Sequence, residues 1–255
     1  MDLRVIGCHG GETPKHRTSA FVVDDRVAID AGAVTSGMDL KAQCALEAVL
    51  VSHAHMDHIR DLATLADNRN QLRAQPLIIA GTRPTLSALK KHFFNNLLWP
   101  DFSEIPSGRR STIRYLELTP ERSATIAGYD VQAIRVNHTI DSSAFIIRRG
   151  NRALAYSGDT GPTDRLWQVL EATEDLRALL MEVSFPNSEG RLAHVSGHHT
   201  PETLARDLEK LPGAKDLPTL LYHIKPSFQT KVERECARLR GLNLTVCALG
   251  DHFIL

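Results

Sequence analysis

The feature that most constrains the fold is a short apolar run that ends in a cluster of metal-binding residue types. The run "AVLV" covers residues 48–51, and "SHAHMDHI" follows it directly. A short apolar run is typical of a buried strand. The polar residues that follow it therefore lie where the chain leaves the core. Alternate side chains of an extended segment point the same way, so His53 and His55 can reach one ion. Asp57 and His58 lie where the loop turns into the next helix, and they can reach a second ion beside it.

Three other predicted strands also end near a side chain that can bind metal. His138 follows the strand that ends in "AIRV", Asp159 follows "LAYSG", and His223 follows "TLLY". A single histidine after a strand is usually an ordinary loop residue. A site for two metal ions needs about six to eight ligands, and the three additional strand ends supply the missing donors. The whole set therefore favours a shared metal site over separate loop residues.

Strand and helix patterns alternate in two similar blocks along the chain. In each block, short runs rich in Val, Ile, Leu and Phe precede stretches with helical spacing. Thr200 and Pro201 open one helix in a favoured way, with Thr as the cap and Pro at the first helical position. Residues 96–112 are predicted to form a long irregular loop. This order predicts an α/β fold, a four-layer αββα sandwich with two sheets face to face, in one domain over residues 1–255.

Composition limits the classes of partner and the compartment. The 30 basic and 30 acidic residues give a net charge of zero, which argues against a polyanion as the main partner. The four cysteines form no C-x-x-C pair, so we expect free thiols in a reducing compartment. The sequence has no signal-peptide pattern and no apolar run of transmembrane length. We expect a soluble cytoplasmic protein without a membrane partner.

The motifs resemble those of one superfamily. H-x-H-x-D-H with distant His, Asp and His resembles the metallo-β-lactamase fold superfamily, and "GCHGGETPKHRTSAFVVDDRVAIDAGAVTSG" resembles its opening hairpins. A narrower resemblance, to the class II cyclic-nucleotide phosphodiesterases of the tRNase Z-related branch, covers most of the chain. It is carried by "LWPDF", "SGDTGPTDRLW", "MEVSFPNSEG", "SGHHTPETL" and "YHIKPSF".

The resemblance implies two divalent metal ions, Zn²⁺ by default, with Mn²⁺ or Fe²⁺ as alternatives. It assigns the ligands as His53, His55 and His138 for one ion, Asp57, His58 and His223 for the other, and Asp159 as the bridge. Asp30 is expected to hydrogen-bond the segment "SHAHMDHI", called the His loop below, and to hold it in place.

The resemblance also implies an acid/base pair of Glu182 and His198, and Asp57 is counted with them among the catalytic residues. In the tRNase Z branch, a histidine placed in this way protonates the leaving oxygen, and a glutamate orients the histidine. His194 and His199 lie close by in the sequence, but the motif register favours His198.

The residues that would contact a substrate are less constrained. Trp99 and Phe102 are candidates for a platform on which a base stacks; alternatively, they pack the loop against the body of the protein or against a second subunit. Arg109, Arg110 and Arg114 either contact phosphate or form a solvated loop face.

The expected activity is hydrolysis of the 3′,5′-cyclic phosphodiester of cAMP or cGMP to a 5′-monophosphate. The alternatives are a tRNase Z-like endoribonuclease, another cyclic-phosphate diesterase, a lactone or thioester hydrolase, and a metal-stabilised nucleotide sensor without turnover. The expected partner is a small-molecule cyclic nucleotide and not a nucleic acid, and analogy with similar enzymes adds a homodimer.

Overall fold

The computed structural model describes residues 1–107 and 110–255. In this part of the chain the strands are β1 Asp2–Gly7, β2 Ala20–Val23, β3 Val27–Ile29, β4 Ala48–Leu50, β5 Leu77–Gly81, β6 Pro106–Ser107, β7 Arg110–Ser111, β8 Ile113–Glu117, β9 Ser123–Ile126, β10 Tyr129–Val136, β11 Ser142–Arg149, β12 Arg152–Tyr156, β13 Leu176–Glu182, β14 Thr219–Tyr222, β15 Leu244–Val246 and β16 His252–Ile254.

The helices of the same described residues are α1 Val34–Gly37, α2 Leu40–Ala45, α3 Met56–Ile59, α4 Leu62–Gln71, α5 Arg83–His92, α6 Arg165–Glu171, α7 Gly190–Ser196, α8 Pro201–Leu208 and α9 Gln229–Cys236. Short 3₁₀ turns at Asn187–Glu189 and Pro226–Phe228 precede α7 and α9. Thr200 caps α8 as predicted, since its side chain accepts a hydrogen bond from the backbone N–H of Thr203.

The strands form two seven-stranded sheets and a small β6–β7 hairpin within the described residues. The first sheet has the order β16-β1-β2-β3-β4-β5-β8, and the second has the order β15-β14-β13-β12-β11-β10-β9. In the first sheet β3, β4, β5 and β8 are mutually parallel. In the second sheet β12, β13, β14 and β15 are mutually parallel. Parallel strands present their carboxyl ends at one edge, the usual place for a ligand site in α/β proteins.

Each sheet buries both of its faces. In β2, Phe21 and Val23 point into the layer between the sheets, whereas Ala20 and Val22 point towards the outer helices. This is the period-two alternation of a strand. The layer between the sheets also contains Tyr156 from the second sheet. Helices α6, α8 and α9 cover the outer face of the second sheet. The arrangement is the predicted four-layer αββα sandwich, so the predicted fold class is confirmed.

Several elements differ from the prediction. The predicted strand over residues 129–136 matches β10 at both ends. By contrast, β9, β16 and α7 were not predicted, because each is short and has no clear apolar periodicity in sequence. The helix that follows the His cluster was expected to begin after Asp57 and His58. The first helical turn is instead α3, and it contains Asp57 and His58 themselves.

The helices also bear on the question of membrane insertion. None of those in the described residues has both the length and the apolar character required to cross a bilayer.

Gly158, in the turn that leads from β12 to Asp159, should be sensitive to any side chain. Its φ is +62°, and an added Cβ would lie 2.6 Å from the Ser143 carbonyl oxygen. Gly128 also has a positive φ, +82°, but a Cβ there would meet no atom within 4 Å. Gly128→Ala should cost about 1–2 kcal/mol, the price of a left-handed backbone. Gly158→Ala should cost about 1–3 kcal/mol more, because packed backbone must move.

Urea unfolding of both variants checks this comparison. Equal losses of unfolding free energy in Gly158→Ala and Gly128→Ala would contradict the close approach at Gly158.

Candidate metal centre

The predicted ligands meet at the carboxyl ends of the parallel strands. His53 and His55 follow β4, Asp159 follows β12, and His223 follows β14. His138 joins them from the end of β10, which runs in the same direction as β12 because each is antiparallel to β11. The structure thus brings all seven predicted ligands together. Their ligand atoms form overlapping groups of three within 4.8 Å: His53, His55 and His138; His53, His58 and Asp159; Asp57, His58 and His223.

The first half of the cluster consists of three histidines whose ring nitrogens face one another. His53 Nε2 lies 3.1 Å from His55 Nδ1, and His138 Nε2 lies 3.2 Å from the same atom. The His138 ring is oriented by its other nitrogen, Nδ1, which lies 2.9 Å from the Gly197 carbonyl oxygen. Three nitrogens therefore converge on one point.

The second half is centred on His223. Its Nε2 lies 3.2 Å from His58 Nε2, 3.3 Å from Asp57 Oδ2 and 3.2 Å from Asp159 Oδ2. Asp159 Oδ2 is also 3.2 Å from His58 Nε2 and 3.7 Å from His53 Nε2, so this carboxylate stands between the two halves. His223 has a left-handed backbone with φ of 70°, which is uncommon for a residue with a side chain.

The ionisation of these groups fits metal ligands. Burial lowers the pKa values of His53, His55, His138 and His223, which favours neutral imidazoles. Burial opposes ionisation of Asp159, but His223 and His58 hold its pKa well below the usual range. Neutral imidazole and ionised carboxylate are the forms that bind a cation.

The cluster also attracts positive charge. Burial disfavours a charged His58, yet the carboxylates of Asp159 and Asp30 raise the pKa of His58 well above its usual value. Asp159 Oδ1 is buried and has no hydrogen-bond partner among the described residues. An orphaned carboxylate oxygen among converging imidazole nitrogens is what a divalent cation satisfies. The donor set therefore fits divalent metal ions.

Asp30 makes the expected hydrogen bonds to the His loop. It is fully buried at the end of β3. Its Oδ1 accepts from the Ser52 backbone N–H at 2.8 Å, and its Oδ2 accepts from the Ser52 hydroxyl at 2.7 Å. His58 Nδ1 lies 2.7 Å from the same Oδ2, and Tyr156 donates its hydroxyl to it at 2.6 Å. These bonds fix the loop and turn His58 Nε2 towards the cluster.

Glu182 and His198 form a buried pair next to the metal ligands. His198 Nδ1 lies 2.9 Å from Glu182 Oε1, and the His198 ring stacks on the His223 ring at 5.2 Å between centroids. Burial, with the Asp159 charge added, raises the pKa of Glu182 to about 8. Burial likewise lowers the pKa of His198. Both shifts disfavour separated charges, so the pair keeps one shared proton near neutral pH.

The neighbouring histidines occupy different environments. His199 Nδ1 contacts the Thr203 hydroxyl at 3.1 Å, and its Nε2 lies 3.7 Å from Asp207 Oδ2. His194 is exposed on α7. Of these histidines, His198 is therefore the one whose ring contacts both Glu182 and the ligand cluster.

The loop aromatics pack against the body of the protein, which was the alternative to a base platform. Phe102 is only 3% exposed and packs in the core near Phe94, with 6.5 Å between ring centroids. The idea that Phe102 stacks on a base is therefore wrong for this structure, because its ring faces are already covered by protein. Trp99 is half-buried against the same core. Arg110 and Arg114 are exposed, and Arg109 lies outside the described residues.

Two residues that the sequence analysis left without a role belong to the site. Tyr156, the last residue of β12, contacts Asp30 from the opposite sheet. Ser184 lies inside the quoted "MEVSFPNSEG" and contacts Glu182, His198 and His223. The sequence signal for both is their position at a strand end that already carries a predicted site residue, Asp159 and Glu182 respectively.

The chain is similar in sequence and in fold to several known proteins. A protein of Yersinia pestis named probable 3′,5′-cyclic-nucleotide phosphodiesterase is 27% identical over an alignment of 280 residues. The alignment spans 90% of this chain and 79% of that protein. The crystal structure of unliganded yeast PDE1 aligns with a TM-score of 0.82 and 20% identity over 98% of both chains. Human tRNase Z, short form, aligns with a TM-score of 0.71 and 17% identity over 100% of this chain and 99% of that one.

The fold and the His/Asp cluster define a protein of the metallo-β-lactamase fold. Residues 26–224 match the family described as the beta-lactamase superfamily domain. Because the match covers more than half of the sequence, the chain belongs to this superfamily, and the resemblance drawn from its motifs is confirmed.

Removing the negative charge of Asp30 should weaken metal binding. Asp30→Asn keeps a residue type that tolerates the left-handed backbone (φ of 56°), but its amide cannot accept all the hydrogen bonds that converge on Oδ1 and Oδ2. Loss of such a partner typically lowers metal affinity about 10–100-fold. Asp175→Asn, at an exposed left-handed aspartate with φ of 57°, is the control.

Competition with a chromophoric chelator measures the affinities of both variants. Wild-type affinity in Asp30→Asn would show that the hydrogen bonds from Asp30 do not support the ligands.

Proposed function

We propose that the chain is a binuclear-metal phosphodiesterase that hydrolyses 3′,5′-cyclic nucleotides, cAMP or cGMP, to 5′-nucleoside monophosphates. The observation that carries the proposal is the buried Glu182–His198 pair against the ligand cluster, 2.9 Å from nitrogen to oxygen. A protein that only binds a nucleotide has no use for a proton donor at this place. The name of the Yersinia pestis relative supports the same class of substrate.

In this proposal, His53, His55 and His138 would hold one ion and Asp57, His58 and His223 would hold the other, with the Asp159 carboxylate between the two groups. Two divalent ions, with Zn²⁺ as the first choice for this mostly imidazole donor set, would lower the pKa of a water molecule and neutralise the phosphoryl oxygens. Asp57 serves as a ligand and also keeps negative charge at the open side of the cluster, where its side chain is 28% exposed.

The acid/base pair acts on the leaving group. When the bond between phosphorus and the 3′ oxygen breaks, the 3′ oxygen leaves as an alkoxide, which is a poor leaving group at neutral pH. His198 donates the proton from its Nε2 to this oxygen. Glu182 holds the Nδ1 side of the same ring and stabilises the imidazolium. The burial of the pair keeps the shared proton away from bulk water.

The charge balance supports a small substrate. The chain has equal numbers of basic and acidic residues, whereas a tRNA ligand is usually met by a basic excess. The second candidate is a tRNase Z-like endoribonuclease, which is favoured by the structural similarity to human tRNase Z. A thioester hydrolase would not require a proton donor as strongly, because a thiolate departs more easily than an alkoxide.

A turnover panel on the zinc-reconstituted protein tests the proposal. The panel contains cAMP, cGMP, 2′,3′-cyclic nucleotides and precursor tRNA, and 3′,5′-cyclic nucleotides should exceed the others in kcat/KM by orders of magnitude. Asp159→Asn should abolish turnover, and Asp164→Asn, at a nearby carboxylate that is 81% exposed, should retain it. Efficient cleavage of precursor tRNA with cAMP left intact would assign the chain to the endoribonuclease branch.

The role of the acid can be isolated by changing the leaving group. His198→Ala should lose about 10²–10⁴-fold in rate on cyclic nucleotides, and much less on bis-p-nitrophenyl phosphate, whose leaving phenolate needs no proton. Glu182→Gln should show the same pattern more weakly. His194→Ala, at an exposed histidine of α7, is the matched control and should keep full activity.

Steady-state rates on both substrates give the answer. An equal loss on the two substrates would assign His198 to metal or phosphate binding. If the dependence on the leaving group appeared in His199→Ala instead, the register of the acid would be wrong by one residue.

A further inference from the structure

We propose that Ser184 is a positioning residue that fixes the ring tautomer of His223 and links this ligand to the Glu182–His198 pair. The inference rests on the metal centre of the proposed function but not on the identity of the substrate. Ser184 is the serine of "MEVSFPNSEG", one of the motifs that carry the resemblance, and in this role it acts directly on the site.

The side chain of Ser184 lies at the meeting point of three site residues. Its Oγ is 2.9 Å from His223 Nδ1, 3.0 Å from Glu182 Oε2 and 3.2 Å from His198 Nδ1. Ser184 is fully buried, so bulk water does not compete for its hydroxyl.

The backbone of Ser184 is held from two sides. Its N–H donates to the His199 carbonyl oxygen at 3.0 Å, and its carbonyl accepts from the Lys225 N–H at 3.2 Å. The first bond ties it to the segment that carries His198, and the second ties it to the segment that follows His223. The hydroxyl therefore has little freedom to move away from its three partners.

The partners of the two His223 ring nitrogens are consistent with one placement of the ring proton. The Nε2 atom of His223 faces Asp57 and Asp159 at 3.3 and 3.2 Å. A metal ligand needs a free lone pair at that nitrogen, so the ring proton must be on Nδ1. There it has Ser184 Oγ as its acceptor. A hydroxyl has a single proton of its own, which Ser184 can then donate to Glu182 Oε2.

One other acceptor competes for the hydroxyl proton. The His223 carbonyl oxygen lies 3.2 Å from Ser184 Oγ. The carboxylate contact is shorter, at 3.0 Å, and it reaches Oε2, the oxygen that the contact of His198 Nδ1 with Oε1 leaves free. The chain of donors therefore runs from His223 Nδ1 through Ser184 Oγ to Glu182 Oε2, and His198 Nδ1 donates to the other oxygen, Oε1, at 2.9 Å.

In this arrangement the Ser184 hydroxyl lies between a histidine and a carboxylate that contact each other directly in many metal sites. Metal-binding histidines usually donate their second ring N–H to a carboxylate or carbonyl, which fixes the tautomer and makes the ligand more basic. Here Glu182 supports His223 through Ser184 while it orients His198 directly. One carboxylate thereby positions both a metal ligand and the proton donor.

Zinc binding to the full-length protein tests the inference without any substrate. Ser184→Ala should weaken the binding of one of the two Zn²⁺ equivalents about 10–100-fold, the usual effect of losing the hydrogen-bond partner of a ligand. Ser184→Thr, which keeps a hydroxyl, should recover most of this affinity. The matched control is Ser143→Ala, which removes a fully buried hydroxyl that has no hydrogen-bond partner among the described residues.

The tautomer itself can be observed in the wild-type protein. In the zinc-loaded chain labelled with ¹⁵N, the His223 ring should show a protonated Nδ1 with slow exchange, assigned by its loss in His223→Gln. An unprotonated Nδ1 in the wild type, or Zn²⁺ affinities in Ser184→Ala equal to those of Ser143→Ala, would overturn the inference. These measurements use Zn²⁺ alone, so a protein that fails to hydrolyse cyclic nucleotides would contradict the proposed substrate and leave this result intact.

Discussion

The site depends first on the buried carboxylate of Asp30. An unpaired buried carboxylate costs several kcal/mol, so it must be surrounded by donors. Asp30 has them from both sheets: Ser52 and His58 from the His loop, and Tyr156 from β12 across the sandwich. These bonds form only when the two sheets are packed in register and the loop is in place. The same contacts therefore join the two sheets and orient His58, so the packing of the sandwich and the geometry of the cluster depend on the same hydrogen bonds.

The topology then determines which side chains reach the cluster. Parallel strands in each sheet end at the same edge. The carboxyl ends of β3, β4, β12, β13 and β14 supply Asp30, the His loop, Asp159, Glu182 and His223. Neighbouring strands of the second sheet thus present two predicted ligands, Asp159 and His223, on either side of Glu182. Residues far apart in sequence can therefore share hydrogen bonds. His198 contacts Glu182 because its segment passes next to the end of β13.

The parts of this arrangement that follow from local sequence could be predicted, and those that follow from packing could not. The seven predicted ligands come together because each follows a strand or lies in the loop and turn directly after one, a position that is visible in the sequence. Ser184 and Tyr156 are ordinary residue types for a strand end. Their hydrogen-bond partners are determined by the packing of the two sheets, which the local sequence does not reveal. Phe102 was left with two alternatives for the same reason: an aromatic residue in a loop has the same local pattern whether its ring faces solvent or, as here at 3% exposure, the core.

The predicted metal ligands and the Glu182–His198 pair bear on different parts of the reaction, the activation of water and the departure of the leaving group. A cluster of histidines and aspartates at strand ends is compatible with hydrolysis of many bonds, because it activates water without regard to what leaves. A buried proton donor is useful only when the leaving group is poor, as the alkoxide of a phosphodiester is. The contact of His198 with Glu182, at 2.9 Å, therefore narrows the class of reaction more than the seven ligands do. If Ser184 joins the two parts as proposed, the geometry of the donor is set by the same carboxylate that supports His223, and neither part can be rearranged without disturbing the other.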